Sequence, residues 1–155
     1  MNDEAYIELK QTKPFASMEH AAHLSIIRTS SMLMDAFESV LKPHDITVTQ
    51  FNVLRILRGA APEGLCRNEI RDRMVNRMPD VTRLLDRMEE AGLIGRERSS
   101  EDRRMVRTRI TDEGNRVLEK IDDVVVAEQK RPFNGLDDSR LNTLVELLAE
   151  VRRNV

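Results

Sequence analysis

The stretch from Val81 to Glu90 sets Thr82, Arg83 and Arg87 against an apolar stripe of Val81, Leu84, Leu85 and Met88, spaced i, i+3, i+4 and i+7. That spacing predicts a helix with the stripe turned inward. Pro79, Thr82, Arg83 and Arg87 then fall on the outer side, with Arg77 in the turn just before it. A guanidinium can bond both acceptors on a guanine edge, and a threonine methyl can pack on the methyl of thymine. The same arginines could instead pair with Asp86, Glu89 or Glu90 on a solvated face, contacts worth only about 0–1 kcal/mol each. Taken alone, the helix leaves both options open. A second basic group stands at Arg98, Arg103 and Arg104, with Asp102 among them. A narrow DNA minor groove concentrates negative potential and favours an inserted arginine. Asp102, two residues before Arg104, could steady that side chain and reduce the entropy lost on insertion. The plainer alternative is a mixed-charge loop kept for solubility.

These groups need a frame, and the remaining sequence supplies one. Ser17 is a candidate N-cap for a helix running to about Leu41, where Ile27, Met34 and Leu41 recur every seven residues. Its apolar stripe also takes in Ile26, Leu33, Phe37 and Val40, wide enough for more than one neighbour. Pro43 ends it. Thr47 and Gln50 form a capping box ahead of Phe51, Leu54 and Leu57. Gly59 to Gly64 is a loop, and Arg67 to Val75 a short helix with Ile70 and Met74 inward. The helix bearing Arg83 is expected to begin near Met78, with Pro79 in its first turn, and to stop at Gly92. The period then changes from helix to strand. Leu93–Arg98 and Met105–Ile110 are expected strands joined by the polar tip Ser99–Arg104, with Val106, Thr108 and Ile110 on one face. Thr111 caps a long helix carrying Val117, Leu118, Ile121, Val124 and Val125. A break at Pro132–Gly135 precedes a last helix from Asp137, with Leu141, Leu144, Val145, Leu148 and Val151 on one side.

Five fragments in order carry a family resemblance. They are Thr47-x-x-Gln50-Phe51-x-Val53-Leu54, Glu69-Ile70, Val81-Thr82-Arg83-x-Leu85-Asp86-Arg87-Met88-Glu89-x-x-Gly92-Leu93, Asp102-Arg103-Arg104 and Thr111-x-x-Gly114. At this spacing the chain resembles the MarR family of bacterial and archaeal transcription regulators. The resemblance implies a mainly α fold with a small β-hairpin wing, a winged helix-turn-helix over 46–112. It further implies dimerisation helices over 17–42 and 115–155, with an N-terminal arm over 1–16. It assigns Arg104 to the minor groove with Asp102 holding it, and leaves Arg98, Arg103 and Arg107 as phosphate candidates. The implied partners are double-stranded DNA, a second copy of the chain and a small-molecule effector of unknown identity, often aromatic or anionic in this family. The expected activity is repression relieved by that effector. Asp80 is out of keeping with a phosphate-facing turn unless it meets a cytosine amino group or pairs with Arg77 or Arg83, and Arg71 and Arg73 could add phosphate contacts.

Composition bounds the rest. The 155 residues suffice for about one domain with a single core. Aromatics at 3% and charged residues at 34% suit a helical protein with a solvated surface. The 25 basic and 27 acidic residues give a net charge of -2, yet the span from Leu65 to Ile110 holds twelve arginines against nine acidic residues. A positive face on a negative molecule can still meet phosphate. One cysteine excludes an internal disulfide, and the start reads as no signal peptide, so a cytoplasmic protein without membrane contact is expected. Cys66, at the start of the short helix, is a candidate redox sensor; the alternative is a small packing residue under the loop. His20 and His23 share a helix face, but no Cys or His cluster completes a zinc site, and no cofactor is expected. Phosphate loops, nucleophile–base motifs and metal triads are missing, which argues against an enzyme. The rival to DNA binding is a winged-helix module that binds only protein.

Overall fold

The computed structural model describes residues 15–75, 80–98 and 105–155. Of the candidate residues, Arg77, Pro79, Asp102, Arg103 and Arg104 lie outside those described, as does most of the 1–16 arm. The elements are α1 (Met18–Leu41), α2 (Val48–Gly59), α3 (Arg67–Arg73), α4 (Val81–Glu90), β1 (Ile94–Arg98), β2 (Val106–Ile110), α5 (Asp112–Lys130) and α6 (Asp138–Arg153). Single 3-10 turns follow α1 at Lys42–His44 and α5 at Arg131–Phe133, each with a proline in its first positions.

Local sequence fixes most boundaries. The Ser17 hydroxyl accepts the His20 N–H at 3.2 Å, and Thr47 and Gln50 close the expected capping box at 3.2 and 2.9 Å. Gly92 takes the left-handed conformation (φ 72°) just past α4. Its N–H reaches Glu89 O at 2.9 Å and that of Leu93 reaches Met88 O at 3.0 Å, the double bond of a Schellman stop. One boundary departs from the sequence expectation. Helix α4 begins at Val81, not near Met78, because Asp80 is its N-cap and accepts the Arg83 N–H at 3.0 Å. The carboxylate that looked misplaced beside phosphate therefore closes the helix, and it also pairs with Arg83 at 3.5 Å, one of the two arginines foreseen as its partner.

The core gathers one face of each central element: Phe51, Val53, Leu54 and Leu57 of α2, Ile70 of α3, Val81, Leu84, Leu85 and Met88 of α4, Ile94 of β1, and Leu118, Ile121 and Val125 of α5. Strands β1 and β2 pair antiparallel, Ile94 with Ile110 and Arg98 with Val106. Leu65 adds a single bridge to Thr108, with bonds of 3.0 and 2.8 Å, which closes the hairpin's base onto the loop before α3. Thr108 is buried as the alternation requires, whereas Val106 and Val124 are exposed. The buried face of α5 runs through Gly114, Leu118, Ile121 and Val125. No residue of α6 is buried in the single chain.

Arg58 of α2 grips Asp122 of α5 with two bonds, at 2.7 and 3.0 Å. That bond holds the Asp122 carboxyl below the usual carboxylate range, chiefly through the guanidinium hydrogen bonds. A carboxyl depressed in the folded state adds stability above its unfolded pKa of about 4 and loses it as pH falls through the folded value. Asp122→Asn should therefore unfold at lower denaturant than the wild type at pH 7. The gap should narrow on acidification below about pH 4, as urea titrations at stepped pH would read.

Candidate nucleic-acid interface

Helix α4 seals one side in the core and presents the other to solvent. Thr82, Arg83 and Arg87 are all exposed, the Arg83 side chain 82% so. Of Asp86, Glu89 and Glu90, the carboxylates weighed as partners for these arginines, the first two are engaged elsewhere, and Arg83 pairs instead with Asp80 at 3.5 Å. They are taken by Arg96 of β1, whose guanidinium meets Asp86 at 2.7 Å and Glu89 at 2.5 Å. Arg96 holds the Glu89 carboxyl below its ordinary range, and it ties the hairpin to α4 on the side that carries Thr82 and Asp86. Arg87 donates only to the carbonyl of Arg83, at 3.3 Å, and its charge has no carboxylate partner among the described residues.

The hairpin sorts its arginines by register. Arg98, at the end of β1 next to the tip, is exposed. Arg107 and Arg109 are structural: Arg107 donates to Gly64 O at 3.3 Å and lies 3.7 Å from Glu69, while Arg109 bonds Pro62 O at 2.7 Å and Glu97 at 2.6 Å. Arg107 was expected as a phosphate contact. It shares its face of β2 with Arg109, and both guanidinium groups reach carbonyls of the loop before α3. Arg71 is exposed beside Asp72 at 3.4 Å, and Arg73 is exposed.

Two residues that sequence reasoning passed over belong to this surface. Arg96 was hidden among twelve arginines, though its spacing from Glu89 across a glycine stop was available. Arg67, the first residue of α3, donates to the Thr82 hydroxyl at 3.3 Å, a cross-helix contact without a local signal. Cys66 is half-buried as the N-cap of α3, and its N–H donates to Glu69 at 2.7 Å. His20 accepts the Ala16 N–H at 3.4 Å and sits edge-on to Phe15; no metal-ligating cluster occurs among the described residues.

The family profile described as the MarR family matches residues 46–106. The chain is 33% identical over 107 residues to the uncharacterised HTH-type transcriptional regulator YkoM of Bacillus subtilis (strain 168), covering 69% of this chain and 68% of that one. The crystal structure of a MarR transcription factor from Planctomyces limnophilus shares 32% identity and superposes with a TM-score of 0.66, over 88% of this chain and 98% of that one. The chain belongs to the MarR family. It is a DNA-binding transcriptional regulator with a winged helix-turn-helix, in which α3 and α4 form the helix-turn-helix and β1–β2 the wing. The repressor CouR, solved on a 23-mer DNA duplex, is 25% identical with a TM-score of 0.76, covering 92% of this chain and 99% of that one. CouR from Rhodococcus jostii RHA1 has also been solved with p-coumaroyl-CoA, at 25% identity and a TM-score of 0.75, covering 88% and 94%.

Away from the exposed face of α4, this MarR-family chain has an apolar groove of about 320 Å³ where α1, α2 and the ends of α3 and α5 meet. Phe37, Phe51, Met34 and Met74 form its walls, and Arg55 stands at its edge with its guanidinium 5.8 Å from the Phe51 ring centre. A second groove of about 260 Å³, reaching Pro132 and Phe133, shares Met34, Phe37 and Gln129 with it. Among the described residues no helix is long and apolar enough to cross a membrane.

Proposed function

We propose that the chain is a cytoplasmic, non-enzymatic repressor that binds a pseudo-palindromic operator as a homodimer and releases it on binding a small molecule. The reading rests above all on one observation: Thr82, Arg83 and Arg87 are exposed on a helix whose opposite face is sealed in the core and which Arg96 ties to the wing. In this reading α4 enters the major groove, about 12 Å wide, with Thr82, Arg83 and Arg87 towards base edges, and Arg77 and Pro79 in the turn ahead of it. Arg104, steadied by Asp102, enters the adjoining minor groove, and Arg98 and Arg103 bind phosphate. Residues 46–112 do the reading, 17–42 and 115–155 dimerise, and 1–16 form an arm. The naked apolar face of α6 supports the pairing of two copies. The aromatic-walled groove beside Arg55 supports an effector that is flat, apolar and anionic at one end, in keeping with p-coumaroyl-CoA on CouR. Cys66 serves as a helix cap and packing residue, with oxidation of its thiol a secondary input.

A mobility-shift titration on DNA upstream of its own gene tests this. Tight binding to an inverted repeat that weakens steeply with salt is expected. Arg83→Ala should lose about 1–3 kcal/mol of discrimination at one base pair per half-site, and Arg104→Ala should weaken binding with dimer and fold intact. Failure on every fragment would favour a protein-interaction module; unchanged affinity in Arg104→Ala would reject the wing's insertion.

A further inference from the structure

Between α4 and the wing runs a groove of about 410 Å³, lined among others by Cys66, Arg67, Asn68, Thr82, Arg96 and Met105. If α4 occupies a major groove and the wing tip the neighbouring minor groove, the sugar-phosphate strand that separates the two must cross between them. This groove is the space it would cross. Of the two arginines that line it, Arg96 is already neutralised by Asp86 and Glu89. Arg67 is exposed and faces no carboxylate among the described residues, and it donates a hydrogen bond to Thr82 Oγ1 at 3.3 Å. We infer that this groove is the seat of the DNA strand, and that Arg67 both binds a phosphate there and positions the Thr82 side chain for base reading.

The chemistry allows both roles at once. A guanidinium carries five N–H donors in a fixed fork, so one can hold the hydroxyl while others face a phosphate oxygen. With one lone pair of Oγ1 held by Arg67, the Thr82 side chain is steadied while its O–H stays free to donate outward beside its methyl. Thr82 then meets a base as a donor with an adjacent methyl, which favours an acceptor such as guanine O6, adenine N7 or thymine O4. Affinity and sequence preference would thus run through a single side chain. The inference rests on the major-groove placement of α4, and its test separates the two.

The test uses the full-length protein and a duplex selected by the wild type from a random-sequence pool, with binding measured across salt and against single base-pair changes. Arg67→Ala should lower the slope of log affinity against log salt by about one per subunit, or about two for a dimer. It should also flatten preference at the base pair that Thr82→Ala flattens. In a Thr82→Ala background, Arg67→Ala should still reduce the salt slope but change preference no further. Arg67→Lys keeps the charge without the fork and should restore the slope but not the preference. An unchanged slope in Arg67→Ala would remove the phosphate contact, and unchanged preference where Thr82→Ala alters it would remove the positioning role. If neither Thr82→Ala nor Arg83→Ala affects preference on DNA the wild type binds, the placement of α4 itself fails, and this inference with it. Because Arg67 is exposed, unchanged thermal melting of its variants checks that the fold is intact.

Discussion

Gly114→Ala should destabilise the protein by about 3 kcal/mol, the upper part of the range for an overpacked core, and occasionally such changes cost more. Gly114 is buried in the first turn of α5, where its N–H donates to the Thr111 hydroxyl at 3.1 Å. A Cβ there would stand 2.8 Å from Ile110 Cγ1 and 3.2 Å from Leu54 Cδ2, and would overlap the Leu93 carbonyl oxygen more severely still. That oxygen has no room to retreat. It accepts the Thr111 N–H at 3.2 Å, and the Leu93 N–H is fixed to Met88 by the stop after α4. The added methyl therefore pushes against the point where α4, the wing and α5 are tied together. For a chain of this length a loss of that size lowers the melting temperature by about 2–4 °C per kcal/mol. Calorimetry would read the shift, and a variant melting within a degree of the wild type would show that the α5 junction gives way at little cost. Since the tie also orients α4 relative to the wing, DNA affinity should fall even below the melting temperature.

Leu144→Asp combined with Val151→Asp should turn the proposed homodimer into a monomer. The two residues lie seven apart on α6, both exposed in the single chain, with Val145 and Leu147 more exposed still. A second copy is the simplest cover for such a face. Burying it with two carboxylates on each subunit costs several kcal/mol per ion after relaxation. A net loss of about 4 kcal/mol already raises the dissociation constant about a thousandfold. Sedimentation at micromolar concentration should show one species of monomer mass, and binding to an inverted repeat should collapse because each half-site is then held alone. Helix content and the melting of the winged core should be nearly unaffected, since both substituted residues are exposed in the single chain and no residue of α6 is fully buried there. A variant that stays dimeric would move the interface away from this face of α6.

Most of the local architecture was legible in the residues because it is set by short-range chemistry. The capping box at Thr47 and Gln50, the caps at Ser17, Thr111 and Asp137, and the glycine stop at Gly92 each involve residues within a turn of one another. The inward stripe of α4 and the burial of Thr108 follow from periods of 3.6 and 2. Where local signals compete, the reading slipped. Pro79 suits a first helical turn and Asp80 suits a cap, and in the fold Asp80 holds the cap position, starting the helix at Val81.

Periodicity and capping residues set the order and faces of the elements, and with them which side of α4 could meet DNA. They could not apportion the arginines, because an ion pair depends on distance through space and twelve like side chains give no local clue to their partners. Only the packing of the hairpin against α4 decided that Arg96 takes Asp86 and Glu89, that Arg107 and Arg109 brace the loop at Pro62–Gly64, and that Arg67 meets Thr82. Those contacts join residues from 7 to 47 positions apart. Side chains that look alike along the chain are thereby divided into those that brace the fold and those that keep their charge towards solvent.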